Sequence, residues 1–360
     1  LALWLAKKDE LVGNPRADYG LVMTAWFEPQ EADAIRARLP SARLLAGLSS
    51  HWIWDNPGWL EFLTTVANGG DADGPLHIDE AMFLKFDNDG DGFADRRCSP
   101  PGWGDLFAMD PRGPRWRELI LSFYGTAAEQ QQHDGVIVDM VDAYPFCDGA
   151  ASGDVPAPIS AAAWVDAQDE LLGLIRSRVP PEKWVVANAG HDFPAGSPFP
   201  RHLNGYLLEN FLGRWGAGLE EGLASAQRAL ETTQAPHLVV FAVDTDDTGT
   251  VDERRFRTGL AASLLMDNTW FAFDYGSRDH GGVTDWWRPE YESLPLGDPN
   301  GPYTFDSGVY RRAYENGTVV VAAGKGAHLS FPAAYADPLR GGTGLEFDVP
   351  AGDAAVFVPA

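Results

Sequence analysis

Two acidic residues interrupt runs that are otherwise apolar: Asp139 within Gly135 to Asp142, and Glu209 within Gly205 to Asn210. A carboxylate set in an apolar strand loses hydration unless the strand end opens onto water or a partner, so this placement marks a site. A pair of carboxylates suits cleavage of a glycosidic bond. One protonates the leaving oxygen while the other attacks the anomeric carbon or activates water. Sugars also need aromatic platforms for their CH faces, and carboxylates or amides for their hydroxyls. Residues of these types stand at the expected strand ends: Trp26, Glu28, His51, Trp52, Trp54, Asp142, Tyr144, Asn188, His191, Asp244, Asp274 and Trp286 are the candidate substrate contacts. The other histidines, His280 among them, are scattered singly and suggest no metal site.

The elements that must position these groups alternate between short Val/Ile/Leu/Phe runs and helix-like stretches, the pattern of parallel βα units. Eight strands are expected, at Leu21 to Trp26, Arg43 to Leu48, Asp105 to Met109, Gly135 to Val141, Trp184 to Ala189, Gly205 to Asn210, Leu238 to Val243 and Trp270 to Asp274. Helices are expected at Glu31 to Leu39, Pro57 to Ala67, Arg115 to Gln130, Ala161 to Arg178, Leu219 to Thr232 and Asp252 to Met266, with no clear helix between Gly190 and Asn204. Eight such units predict an α/β fold, a (β/α)8 TIM barrel spanning about residues 1–300, whose site lies at the C-terminal ends of its strands. Residues 301–360 change to short alternating strands and predict a small C-terminal antiparallel β domain, with Asn316-Gly317 as a hairpin turn.

One further motif stands in an insertion near 76–98. Asp87, Asp89, Asp91 and Asp95 fall at positions 1, 3, 5 and 9 of a calcium-loop pattern, with Gly92 at the turn and the carbonyl of Phe93 at position 7. Position 12 is Cys98 instead of glutamate, and the flanks look like strands, so a hairpin loop holding a structural Ca2+ is expected instead of an EF-hand. A weak site of this kind suits extracellular calcium levels and a secreted protein. The chain opens with an apolar stretch followed by Lys7-Lys8, which reads as a processed or trimmed start. Cys98 and Cys147 form either one bridge in an oxidising compartment or two buried thiols.

A net charge of -25 disfavours nucleic acid and anionic lipid as partners, and no apolar run reaches the roughly 20 residues of a membrane span. Neither a G-x-G-x-x-G nor a G-x-S-x-G motif follows any strand, which argues against nucleotide binding and acyl transfer. A carbohydrate substrate fits best, including one with amino sugars whose positive charge would suit the acidic rim. Two other readings stay open: a metal-dependent hydrolase using Asp244, Asp246 and Asp247, and a carbohydrate-binding barrel without catalysis. Oligomeric state is not legible in the sequence.

The stretch Asp134 to Asp142 resembles the D-G-[VF]-x-[VL]-D-x-[VI]-D strand of the endo-α-1,4-polygalactosaminidase-like barrels and related glycoside hydrolases. A broader family of such hydrolases also resembles this chain in Trp287-x-x-Glu290-Tyr291, in Leu296-Gly297-x-Pro299 and in the tail from Val309 through Arg312 to Gly317. The resemblance implies a barrel whose strand-four aspartate and strand-six glutamate react. Those positions are Asp139, as nucleophile, and Glu209, as acid/base, in a retaining mechanism, with an inverting one left open. Carboxyls roughly 5 Å apart imply retention, and roughly 6.5 to 9.5 Å inversion.

Overall fold

The computed structural model describes residues 1–4, 11, 18–87, 89–141, 147, 159–190, 196–276, 280, 288, 291 and 294–360. Of the candidate contacts, Asp142, Tyr144, His191 and Trp286 lie outside the described residues.

Eight parallel strands form the main sheet: β1 (Ala2–Trp4), β2 (Leu21–Thr24), β3 (Arg43–Ala46), β8 (Gly135–Val138), β9 (Trp184–Asn188), β10 (Gly205–Leu208), β11 (Leu238–Val243) and β12 (Thr269–Phe273), paired in that order. Trp4 sits opposite Met23, Ala46 opposite Val136, Leu207 opposite Asn188 and Phe241 opposite Phe271. The sheet curls until β1 lies beside β12, giving the nearly closed barrel that the alternation predicts. The count of eight is as expected but its membership differs. Asp105 to Met109 is not a barrel strand; its core, β7 (Leu106–Ala108), pairs antiparallel with β4 (Trp52–Trp54) in an excursion between β3 and β8. The missing strand is β1, in the stretch read as a trimmed start. β1 and β7 are each three residues long, too few to show a period, so pattern alone could not tell which of the two joins the barrel.

Helices α1 (Pro29–Arg38), α2 (Pro57–Ala67), α3 (Pro114–Glu129), α4 (Ala161–Arg178), α5 (Leu219–Thr232) and α6 (Glu253–Ser263) cover the sheet. Proline in the first turn starts α1, α2 and α3, where its missing N–H costs nothing, and the side chains of Asn56, Ser160 and Asp252 cap α2, α4 and α6. Between β9 and β10 the described residues hold only a 3-10 turn, Phe199–His202.

Alternation along each strand divides the core in two. Leu21, Met23, Leu45, Ile137, Val186, Leu207, Val240 and Ala272 fill the barrel, while their neighbours Val136, Val138, Val185, Leu208, Phe241 and Phe271 meet the helices. Gly135 and Gly205 open β8 and β10 on the inward face. A Cβ there would stand 2.3 Å from the Trp184 carbonyl oxygen and 2.1 Å from that of Leu238, so only glycine lets the strands close.

The excursion carries a hairpin of β5 (Lys85–Phe86) and β6 (Arg96–Arg97), and Cys98 just beyond it is disulfide-bonded to Cys147 with Cα atoms 4.8 Å apart. At the C-terminus, β13 (Thr304–Asp306), β14 (Val309–Tyr314), β15 (Gly317–Ala322), β16 (Ala327–Ala336), β17 (Thr343–Val349) and β18 (Asp353–Pro359) form a separate antiparallel sheet in the order β13-β14-β15-β18-β16-β17. It rests on α6, where Arg257 pairs with Asp353 at 2.9 Å. The hairpin of β14 and β15 turns on Glu315-Asn316 rather than Asn316-Gly317. Gly317 pairs with Tyr314, and neither Asn316 nor Gly317 has a positive φ.

Candidate active site

The inward face of the barrel continues past its apolar layers. Two residues beyond Ile137, Val186, Leu207, Ala242 and Ala272 stand Asp139, Asn188, Glu209, Asp244 and Asp274. Since alternate residues share a face, five neighbouring strands deliver five polar groups to the C-terminal mouth.

Asn188 joins the first pair. Its Nδ2 donates to Asp139 Oδ1 at 2.8 Å and to Glu209 Oε2 at 2.9 Å, so these two oxygens lie no more than about 5.7 Å apart, the sum of the bonds. The backbone N–H of Gly190 donates to Asn188 Oδ1 at 2.9 Å, which turns the amide nitrogen toward the carboxylates. Asp139 Oδ1 also accepts the N–H of Met140 at 2.9 Å, and Met140 takes φ 52°. A positive φ on a side chain of this size is sparsely populated backbone, a feature found where structure serves a site. Burial, then the charge of Asp139, pushes the Glu209 carboxyl up to about 7 against the opposing pull of His280 and Asn188. Glu209 thereby holds a proton near neutrality.

Opposite this pair, Asp274 Oδ2 is 2.7 Å from His280 Nδ1. Burial raises the Asp274 carboxyl to about 6, while His280 rises to about 9: burial opposes its charge, but Asp274 outweighs that, helped by Glu209 and Asp139. The ring of Trp4, at the end of β1, meets His280 edge-on at 6.1 Å. Reading the sequence missed both residues. His280 stands alone six positions beyond its strand, and Trp4 sits in a strand too short to recognise.

Asp244 belongs to a different network. Asn210 Nδ2 donates to Asp244 Oδ1 at 2.6 Å and to Asp246 Oδ1 at 2.8 Å, and Arg255 Nη1 donates to Asp246 Oδ2 at 2.6 Å. Asn210, Asp246 and Asp247 all take positive φ, so this knot fixes the rim of strands β10 and β11. A divalent ion on Asp244 and Asp246 would have to displace the Arg255 guanidinium. Among the described residues, Asp244, Asp246 and Asp247 form no metal-ligating cluster. The geometry therefore speaks against the metal-dependent reading.

Several expected contacts lie elsewhere. Trp52 is 2% exposed and packs with Cys98, Cys147, Ile159 and Trp164, which leaves no face for a sugar. His51 is buried edge-on against Trp164 at 4.9 Å. Trp54 is half-buried beside Trp103. Trp26 turns to the helical layer, with its ring 4.7 Å from that of His133. Glu28 caps α1 by accepting from a backbone N–H in its first turn, while Glu31 accepts the N–H of Glu28 at 2.8 Å. Trp26 and Glu28 line a separate groove of about 460 Å³ with Phe62 and Thr65. A position at a strand end does not tell which way a side chain turns once the strand has ended.

At the acidic hairpin, oxygens of Asp87, Asp89 and Asp91 lie within 4.8 Å of one another. The N–H groups of Gly92 and Gly90 donate to Asp87 at 2.8 and 2.7 Å and hold its carboxyl below the usual range. Gly90 and Gly92 take φ 80° and 90°, and the flanks are strands, as the sequence suggested. Phe93 and Asp95 are exposed, and Asp95 stands outside the cluster.

In sequence, no curated protein matches this chain. Solved structures share its fold. An α-amylase from Malbranchea cinnamomea is 12% identical over 98% of this chain and 87% of its own, with a TM-score of 0.53. An α-amylase from Geobacillus thermoleovorans, solved with acarbose, is 11% identical over 97% of this chain and 90% of its own, with a TM-score of 0.51. An isomalto-dextranase from Arthrobacter globiformis T6, solved with panose, is 13% identical over 100% of this chain and 72% of its own, at 0.52. The match that reaches function is to a family model described as hypothetical glycosyl hydrolase family 15, which covers residues 116–318. That span exceeds half of the chain and takes in Asp139, Asn188 and Glu209, so the chain belongs to hypothetical glycosyl hydrolase family 15 and is a glycosidase.

Proposed function

We propose that this glycosidase cleaves an oligo- or polysaccharide with retention of anomeric configuration, Asp139 acting as nucleophile and Glu209 as acid/base. The observation that carries the reading is the bridge through Asn188. Carboxylate oxygens no more than about 5.7 Å apart leave little room for a water between Asp139 and the sugar, as inversion requires. In the first step Glu209 gives its proton to the leaving oxygen while Asp139 forms an ester with the anomeric carbon. Glu209, now ionised, takes a proton from water as that water attacks the same carbon and releases Asp139. A Glu209 carboxyl raised to about 7 suits the first half, and its loss of the proton to the leaving group prepares the second.

The test is a glycan panel assayed for new reducing ends, with the first-formed anomer of the product followed by proton NMR. Retention is expected; inversion would contradict the roles given to Asp139. A reading as a binding barrel without catalysis would require bound glycan and no new ends.

Two accessory readings accompany this one. The Asp87, Asp89 and Asp91 loop takes a structural Ca2+, supported by oxygens already gathered within 4.8 Å on a turn that two glycines permit. The protein acts outside the cytosol, a reading the Cys98–Cys147 bridge supports because disulfides persist in oxidising compartments. Activity confined to the cytosolic fraction of producing cells would overturn it.

A further inference from the structure

Where β1 meets β12, the mouth holds two hydrogen-bond donors that the reaction above does not use. Trp4 is 2% exposed, belongs to the cluster filling the barrel, and its Nε1–H meets no acceptor among the described residues. A donor left buried and unpaired is destabilising, so such a group points to an acceptor that comes from outside. Beside it, His280 spends Nδ1 on Asp274 at 2.7 Å, and its Nε2 has no acceptor among the described residues. Asp274 accepts at Nδ1 and holds the ring charged, so Nε2 is also an N–H donor. The two groups left unspent at this corner are therefore both donors, one of them on a cation whose charge Asp274 balances. It faces Asp139 and Glu209, whose charges act on His280.

We propose that Trp4 and His280 form the recognition corner of the sugar site, donating to one oxygen of the sugar held over Asp139 and Glu209, and that this position carries a neutral hydroxyl and not a protonated amine. The assignment rests on the glycosidase reading. An ammonium group has three donors and no lone pair, so it can accept from neither Trp4 nor His280 and leaves both donors unpaired. The amino sugar that the acidic rim invites is thus turned away at this one position, whatever the carboxylates accept elsewhere.

The test uses the 4-nitrophenyl hexoside that wild type hydrolyses best, its monodeoxy derivatives, and the derivative bearing an amine at the implicated position. Wild type is compared with Trp4→Phe, which keeps a ring without the N–H, with His280→Ala, and with His280→Gln, which keeps a donor. On the parent substrate, His280→Ala is expected to lower kcat/KM about 10- to 100-fold, the scale of a hydrogen bond to a charged group, with partial recovery in His280→Gln. For one deoxy position, and that one alone, removing the hydroxyl costs wild type a similar factor and costs His280→Ala clearly less, since only the Trp4 donor is left to lose. The same position is less sensitive than in wild type in Trp4→Phe, which keeps only the His280 donor; should that variant fail to fold, the two His280 variants decide. Losses that multiply at every deoxy position, or an amine turned over better than the hydroxyl it replaces, would overturn the assignment. The two levels separate cleanly. Turnover surviving in folded Asp139→Asn and Glu209→Gln sinks the glycosidase site itself, whereas inactivity of both with multiplying deoxy losses sinks only this corner.

Discussion

At the scale of single residues, the site is governed by one amide. Asn188 stands between Asp139 and Glu209 and donates to both, so it sets their separation while its own oxygen is held by Gly190. The cost of bringing two carboxylates together falls on Glu209, which burial and the Asp139 charge keep protonated up to about 7. The sign for activity follows. Glu209 must carry its proton to assist the leaving group, so kcat/KM falls as pH rises through about 7. The limb belongs to the coupled pair and not to Glu209 alone. A pH–rate profile checks this, and a basic limb above pH 9 would show that Glu209 is not the acid. Reading the sequence reached Asp139 and Glu209 because each breaks an apolar strand, and the parity of those strands decided that both face inward. It could not reach Trp4 and His280, which meet only when the eighth strand closes beside the first.

At the scale of elements, strand and helix identity was largely legible, and pairing was not. Helices α2, α4 and α5 occupy the expected residues: Asn56 and Pro57 start α2, Ser160 starts α4, and α5, which follows Gly218 without a side-chain cap, shows in its helical period. The error lay in exchanging Ala2–Trp4 for Leu106–Ala108, because local pattern says that a run is buried but not which neighbour it joins. Asp139 and Glu209 kept their places on strands four and six only because one strand was lost and one gained before them. The hairpin of β5 and β6 shows the reverse case, a loop whose shape follows from its own residues. Gly90 and Gly92 provide the positive φ, and the three aspartates converge without help from the barrel. Binding of Ca2+ only to the folded loop raises stability in proportion to RT ln(1 + [Ca2+]/Kd), so a Tm that rises with millimolar Ca2+ and falls back with EDTA is expected. A Tm indifferent to both would remove the ion from this loop.

At the scale of the whole molecule, the barrel works as a frame that turns sequence periodicity into convergence. Its inward positions run from glycine at the floor through aliphatic layers to carboxylates and an amide at the mouth, as in Gly205, Leu207 and Glu209. The C-terminal sheet contributes no described residue to this mouth; it covers α6 and is tied there by Arg257 and Asp353. The long excursion between β3 and β8 is held by the Cys98–Cys147 bridge beside the strand that bears Asp139. All of these features matter to function only if the two bridged carboxylates do the chemistry. The most direct measurement is kcat/KM of Asp139→Asn and Glu209→Gln on the glycan that wild type hydrolyses best, with near-UV circular dichroism verifying the fold. A fall of roughly a thousandfold or more in both is expected for a pair that acts as nucleophile and acid. Wild-type turnover in either folded variant would contradict it.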